Sequence, residues 1–163
     1  MRKLDKAVYG YKSSGENETE NLAKQLSLFL TPGTVLTLDG DLGAGKTRFS
    51  QGLARAMGIT EIVNSPTFNI IKEYEGAQLP FYHMDVYRIT QEEAEDLGLE
   101  EYFYGEGVTL IEWSSRIENL LPVERLSLTI ERMGEQERLF HIVPHGEMYL
   151  SWCRKMKENG ILQ

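Results

Sequence analysis

The residues whose types and spacing most plainly encode chemistry are Gly40-Asp41-Leu42-Gly43-Ala44-Gly45-Lys46-Thr47, which fill every fixed position of the pattern G-x-x-x-x-G-K-[ST]. A polyphosphate has to be surrounded by backbone N–H donors, and a glycine-rich loop lets the main chain wrap that closely without Cβ clashes. Lys46 is spaced to reach the β and γ phosphates, and the Thr47 hydroxyl is offered to Mg²⁺ at the start of a helix whose N-terminal dipole favours anions. We therefore expect Asp41, Leu42, Gly43, Ala44, Gly45, Lys46 and Thr47 to form a nucleoside triphosphate site. Arg48 is counted with them as the loop's neighbour, although its place in the first helical turn directs its side chain away from the phosphates. A glycine turn without a ligand does not account for Lys46-Thr47 standing in register. A dinucleotide fingerprint needs G-x-G-x-x-G, whereas the order here is G-x-x-G-x-G followed by Lys.

Two acids are candidates for the chemistry beside that loop. The run 107–113, Gly-Val-Thr-Leu-Ile-Glu-Trp, is an apolar strand ending in Glu112, the form of a Walker B strand whose carboxylate holds Mg²⁺ or positions the nucleophile. Asp85 closes another apolar run, 79–84, and is the second candidate; its plainer role is a cap or a surface acid paired with Arg88. Trp113 reads as core packing or as a lid over the site. His83 reads as a packing or hydrogen-bonding residue, because no second His or Cys stands at metal spacing. Ser65-Pro66-Thr67 breaks regular structure, and a threonine in such a loop can sense the γ phosphate, so Ser65 and Thr67 are candidates for a switch-like loop, with an ordinary turn as the alternative.

These residues need a scaffold, and the apolar periodicity supplies one. Residues 34–38, β-branched and aliphatic, read as the buried strand that leads into the loop, and Phe49, Leu53, Ala54 and Met57 recur at helical spacing behind it until Gly58. Before them come an edge strand at 7–12 and a helix capped by Asn17 or Thr19, with Leu22, Ala23, Leu26, Phe29 and Leu30 inward and Pro32-Gly33 as its stop. After them, 69–75 and 79–84 read as two strands joined by a turn, and 91–103 as an acidic, solvated helical stretch. A strand pair at 126–132 and 138–143 and a closing helix at 147–157 complete the chain.

Composition sets the outer limits. A chain of 163 residues with 41% apolar content suits one domain. It has no apolar run of the roughly 18 residues that would suggest a membrane span. The charged start, Met1 to Lys6, has no apolar stretch behind it, so we expect no secretory signal, no membrane association and a cytoplasmic location. Cys153 stands alone and reads as a small buried apolar residue. A net charge of −8 argues against holding nucleic acid by the general field of the surface. Arg48, Arg55, Arg88 and Arg116 could supply only a local basic patch.

Taken together, Gly-Asp-Leu-Gly-Ala-Gly-Lys-Thr at 40–47, Ser-Pro-Thr-Phe at 65–68, His-x-Asp-x-Tyr-Arg at 83–88 and Ile-Glu-Trp at 111–113 resemble the TsaE family, formerly YjeE. The order and spacing match over nearly the whole chain. The resemblance implies an α/β fold: one P-loop NTPase domain over residues 1–163, with a central, mostly parallel sheet, flanking helices and added antiparallel strands. It implies a Mg²⁺-dependent ATPase that works with TsaB and TsaD in threonylcarbamoylation of adenosine 37 in tRNAs reading codons that begin with A. The tRNA is met only indirectly, through that complex. Residue by residue, it implies ATP or ADP phosphates and Mg²⁺ at Lys46 and Thr47, and metal and hydrolytic water at Asp85 and Glu112. A switch-like loop falls at Ser65 and Thr67, a functional ring at Trp113, and weaker nucleotide contacts at Asn17, Thr19 and Arg138. The alternative that the phosphate loop leaves open is a nucleoside or small-molecule kinase, which would need an acceptor pocket and an arginine-bearing lid.

Overall fold

The computed structural model describes residues 7–41, 43–64, 66 and 70–163. In chain order the elements are β1 (Tyr9–Ser13), α1 (Glu16–Ser27), β2 (Val35–Gly40), α2 (Lys46–Ala56), β3 (Ile71–Glu75), β4 (Pro80–Asp85), α3 (Gln91–Glu95), α4 (Leu99–Phe103), β5 (Val108–Glu112), a 3₁₀ segment (Ser114–Leu120), β6 (Arg125–Arg132), β7 (Arg138–His145) and α5 (Glu147–Glu158). Among the described residues the strands form one sheet of order β1-β7-β6-β2-β5-β4-β3. Its centre is parallel: β2 lies between β5 and β6, and β4 pairs parallel with β5. The flanks are antiparallel, with β3 on β4 at one side and the β6–β7 hairpin followed by β1 at the other. This is the expected mixed α/β domain.

Strand alternation divides the core into two layers. Leu36, Leu38, Val108 and Leu110 face α1, α2 and α5, where they meet Leu22, Phe49, Leu53 and Trp152. Val35 and Ile111 face the other way, onto Phe103, Ile117 and Ala94 of the shorter segments. Over residues 35–38 β2 is buried on both faces, which is why that stretch reads as β-branched and aliphatic with no alternation. Each fully buried leucine or phenylalanine in these layers contributes roughly 1.5–3 kcal/mol. The start of β2 is tied to α5 as well, since the Val35 N–H donates to the Tyr149 hydroxyl at 2.9 Å. Cys153 is buried on α5, and burial pushes its thiol up to about 12, so it is an inert filler as expected.

Several boundaries differ from the sequence reading. Neither Asn17 nor Thr19 caps α1; Gly15 stands at its N-cap, and Thr19 is buried inside the helix with its hydroxyl 2.8 Å from that of Ser13. The helix stops at Ser27, so Phe29 and Leu30 pack on the core from the following turn rather than from the helix. The acidic stretch is two helices, because Gly98 adopts a left-handed φ of 66° between them. A capping box of Thr90 and Glu93 starts the first of these. Finally, β2 continues through Asp39 to Gly40, which delivers the strand directly into the loop.

Candidate functional site

Gly40 ends β2 where the Ile130 carbonyl of β6 passes so close that an added Cβ would sit 2.8 Å from its oxygen. The first glycine of the motif is therefore demanded by the neighbouring strand as well as by the loop. The loop then turns through Gly43 and Gly45 into α2, and the N-terminus of α2 opens onto a cleft of about 1430 Å³. Lys46 is buried at the head of that helix. Its ammonium donates to the carbonyls of Gly40, at 2.5 Å, and Asp41, at 3.0 Å, and lies 4.2 Å from the centre of the Trp113 ring. Burial lowers its pKa, against the opposing pull of Glu112 and the nearby aspartates. At contact the charge is held by carbonyl dipoles and an aromatic face, with no ion pair among the described residues, while Glu112 and the aspartates act on it through space. Thr47 lines the same cleft.

Asp85 and Glu112 are register partners at the ends of the parallel strands β4 and β5, and both line the cleft. Asp85 is half-buried, with Oδ1 accepting from the Tyr87 N–H at 3.0 Å. Burial raises its pKa, partly offset by that N–H, and the neighbouring Glu112 raises it further. Glu112 is almost fully buried; its Oε2 lies 2.5 Å from His83 Nε2 and accepts from Ser50 Oγ at 3.3 Å. Among the described residues no group of three or more His, Cys, Asp or Glu side chains is arranged to hold a metal. Two carboxylates and a threonine nevertheless suit Mg²⁺, which keeps several waters and takes its other oxygens from a substrate's phosphates.

The raised pKa of Asp85 has a consequence for the ligand-free protein. Below the ordinary carboxylate pKa of 3.8 the group is neutral in both the folded and unfolded chain and costs nothing. As pH rises through the higher folded value, the folded state must ionise a half-buried group, so stability is lost. Asp85→Asn keeps an oxygen for the Tyr87 N–H and removes that charge. We expect it to raise the thermal midpoint at neutral pH in the absence of nucleotide and metal, with the gain fading as pH falls towards 4. An unchanged midpoint across that range would contradict the burial argument.

Trp113 follows Glu112 with φ 62° and ψ 35°, the non-glycine residue in the left-handed region among those described. For an aromatic residue this is a strained backbone, and such strain persists where surrounding contacts impose it. Here the Trp113 N–H donates to the Leu38 carbonyl at 3.1 Å. Beyond it, Ser114 Oγ and the Ser115 N–H donate to the two oxygens of Asp39, at 2.5 and 3.2 Å. The result is a ring that stands over Lys46 and packs against Tyr87 at a tilt of 47°, with centroids 4.6 Å apart.

The remaining expected residues fall into three groups. Asn17 and Thr19 line the cleft at its α1 end, and Arg138 lines it at the β7 end. The Arg138 Nε donates to the Ala44 carbonyl at 2.7 Å, and its Nη1 lies among carbonyls of the 134–137 turn, so the guanidinium braces the phosphate loop. Arg48 also borders the cleft, but its guanidinium pairs with Glu16 and Glu20 of α1, the turn away from the loop that its position implied. Leu42, Ser65 and Thr67 lie outside the described residues. Asp39 and the contact of His83 with Glu112 were not read from sequence; the period-two pattern His83-x-Asp85, two polar residues on one face of an apolar strand, was the available signal for the latter.

A glycine loop that joins the central strand of a parallel sheet to a helix, with acids ending the strands alongside, defines a P-loop NTPase fold. Its family is given by similarity: residues 13–140 match the model of the threonylcarbamoyl adenosine biosynthesis protein TsaE. The chain is 51% identical to the tRNA threonylcarbamoyladenosine biosynthesis protein TsaE of Bacillus subtilis over 149 residues, 91% of this chain and 94% of that one. It is 38% identical to the protein of that name in Treponema pallidum, over 77% of this chain and 93% of the relative. The crystal structure of YdiB from Bacillus subtilis superposes with a TM-score of 0.85 at 44% identity, covering 97% of this chain and 99% of that one. The chain belongs to the TsaE family, which acts in tRNA threonylcarbamoyladenosine biosynthesis.

Proposed function

We propose that this chain is the ATP-binding and ATP-hydrolysing member of the machinery that threonylcarbamoylates adenosine 37 in tRNAs reading codons beginning with A, acting in the cytoplasm with TsaB and TsaD. The observation that carries the ATPase reading is the convergence on one cleft of the loop lysine, which makes no ion pair among the described residues, and two register-paired acids. Bound ATP with Mg²⁺ would bring the scissile phosphoanhydride to that point. Lys46 and the loop N–H groups would hold the phosphates, and the Thr47 hydroxyl with Asp85 or Glu112 would hold the metal. The remaining acid would orient water. The family likeness and the name borne by the relatives support the tRNA pathway.

Turnover by the chain alone should be slow. An arginine that neutralises transition-state charge contributes about 10³–10⁵ in rate in related architectures. Of the arginines that line this cleft, Arg138 is engaged with carbonyls and Arg48 with α1, while Arg88 is exposed and held by no ion pair among the described residues. A partner surface would supply the missing charge, and would also hold the tRNA polyanion that a domain of net charge −8 is poorly suited to bind. The test is phosphate release by the chain alone and with TsaB and TsaD at matched salt. We expect low turnover that rises on mixing; rapid turnover alone, unchanged by the partners, would rule the reading out.

A further inference from the structure

We infer that His83 is a positioning residue for Glu112: it fixes one oxygen of that carboxylate so that the other is presented to the cleft. This rests on the reading of Glu112 as a hydrolytic or metal-holding acid. His83 and Leu110 are register partners, as are Asp85 and Glu112, so His83 lies on the same face as the acids, one pleat below them and diagonal to Glu112. The diagonal spacing is within reach of long side chains, and Nε2 lies 2.5 Å from Glu112 Oε2. A proton must stand between the two atoms, and with Glu112 acting as an ionised carboxylate Nε2 is the donor. The Ser50 hydroxyl of α2, whose shorter hydrogen bond goes to the Lys46 carbonyl at 2.9 Å, also lies 3.3 Å from the same oxygen. The histidine contact therefore carries the restraint on the terminal rotation of a side chain that has three rotatable bonds, and no hydrogen bond to Oε1 is formed among the described residues.

Packing does not explain the imidazole. His83 is fully buried and stacks on Phe81 with centroids 5.8 Å apart, yet its Nδ1 has no partner among the described residues. An unpaired buried nitrogen costs free energy that a phenylalanine in the same slot would avoid. What the imidazole adds over an apolar ring is the N–H aimed at Glu112.

The test compares the full chain with His83→Phe, His83→Gln, Glu112→Gln and the double variant His83→Phe/Glu112→Gln. Nucleotide affinity is read by calorimetry, and kcat and KM for ATP by phosphate release with Mg²⁺, alone and with TsaB and TsaD. Affinity should stay near the parent's in every variant, which also reports an intact fold. His83→Phe should lower kcat about 10–100-fold with little change in KM, the usual size of effect when a supporting hydrogen bond to a metal-site ligand is lost. His83→Gln, whose amide N–H can reach the same oxygen, should recover most of the rate. In the double variant the histidine change should cost nothing beyond Glu112→Gln, because its effect runs through that carboxylate. Parent-like kcat in His83→Phe beside an inactive Glu112→Gln would overturn the inference alone, as would a full additional loss in the double variant. Should His83→Phe fail to bind nucleotide, His83→Gln decides: binding intact with a rate as low as Glu112→Gln also overturns it. A parent-like Glu112→Gln would overturn the underlying reading of the acid.

Discussion

Lys46→Ala should abolish most of the affinity for ATP and ADP while leaving the fold in place. The Lys46 ammonium is held by two loop carbonyls and the Trp113 ring, and its removal breaks no ion pair among the described residues, although Glu112 and the aspartates lose a neighbouring positive charge. Structural damage should therefore be small, and the loss should fall on ligands. Charge-assisted hydrogen bonds contribute about 1.5–3 kcal/mol each, so losing one to the polyphosphate lowers affinity roughly 10–150-fold. Calorimetry with Mg²⁺ measures this directly, and Trp113 fluorescence offers a second readout because the ring sits on the same ammonium. A variant that binds as tightly as the parent would mean that Lys46 does not meet the phosphates.

Glu112→Gln should separate binding from hydrolysis. The amide keeps the shape of the side chain and one oxygen for His83 and Ser50, so the buried end of β5 should survive. What it loses is a carboxylate oxygen that can accept a proton or hold a cation, which for a general base is worth about 10²–10⁴ in rate. Nucleotide affinity should stay near the parent's while phosphate release falls by that factor. Asp85→Asn is the informative comparison, because the two acids are register partners and the division of labour between them follows from which variant is inactive. Parent-rate hydrolysis by Glu112→Gln with an inactive Asp85→Asn would exchange the roles.

The phosphate loop, the strand before it and the acid-ended strands were legible because each is a local pattern: glycine spacing, an apolar run, a carboxylate at the end of a run. The α1 cap was not, because Thr19 satisfies its hydroxyl with Ser13, a contact that only the placement of β1 beside α1 creates. Asp39 fell between the strand and the loop and was assigned to neither, because the strand runs beyond its apolar portion; it braces the turn after Trp113. Arg138 reaches Ala44 across a sheet order that places β7 next to β6, and no local periodicity encodes that order. The two short helices at 91–103 were read as one because their acidic surface is continuous while the break rests on Gly98. Positions fixed by neighbours in sequence were readable; those fixed by strand register were not.

The tie between Tyr149 and Val35 bears on where the domain could be cut. The match to the family model spans residues 13–140, which takes in the loop, both acids, Trp113 and Arg138. A fragment with those ends would carry every candidate site residue and would still be a poor folding unit. It would divide β7, remove most of β1, and strip α5 from the sheet, baring Phe140 and leaving the first N–H of β2 without the Tyr149 hydroxyl. Since β2 is the strand that feeds the phosphate loop, the damage would arrive at the cleft. The recognisable signature and the cooperative unit are different lengths of the same chain, and transplanting the signature alone would not transplant the site.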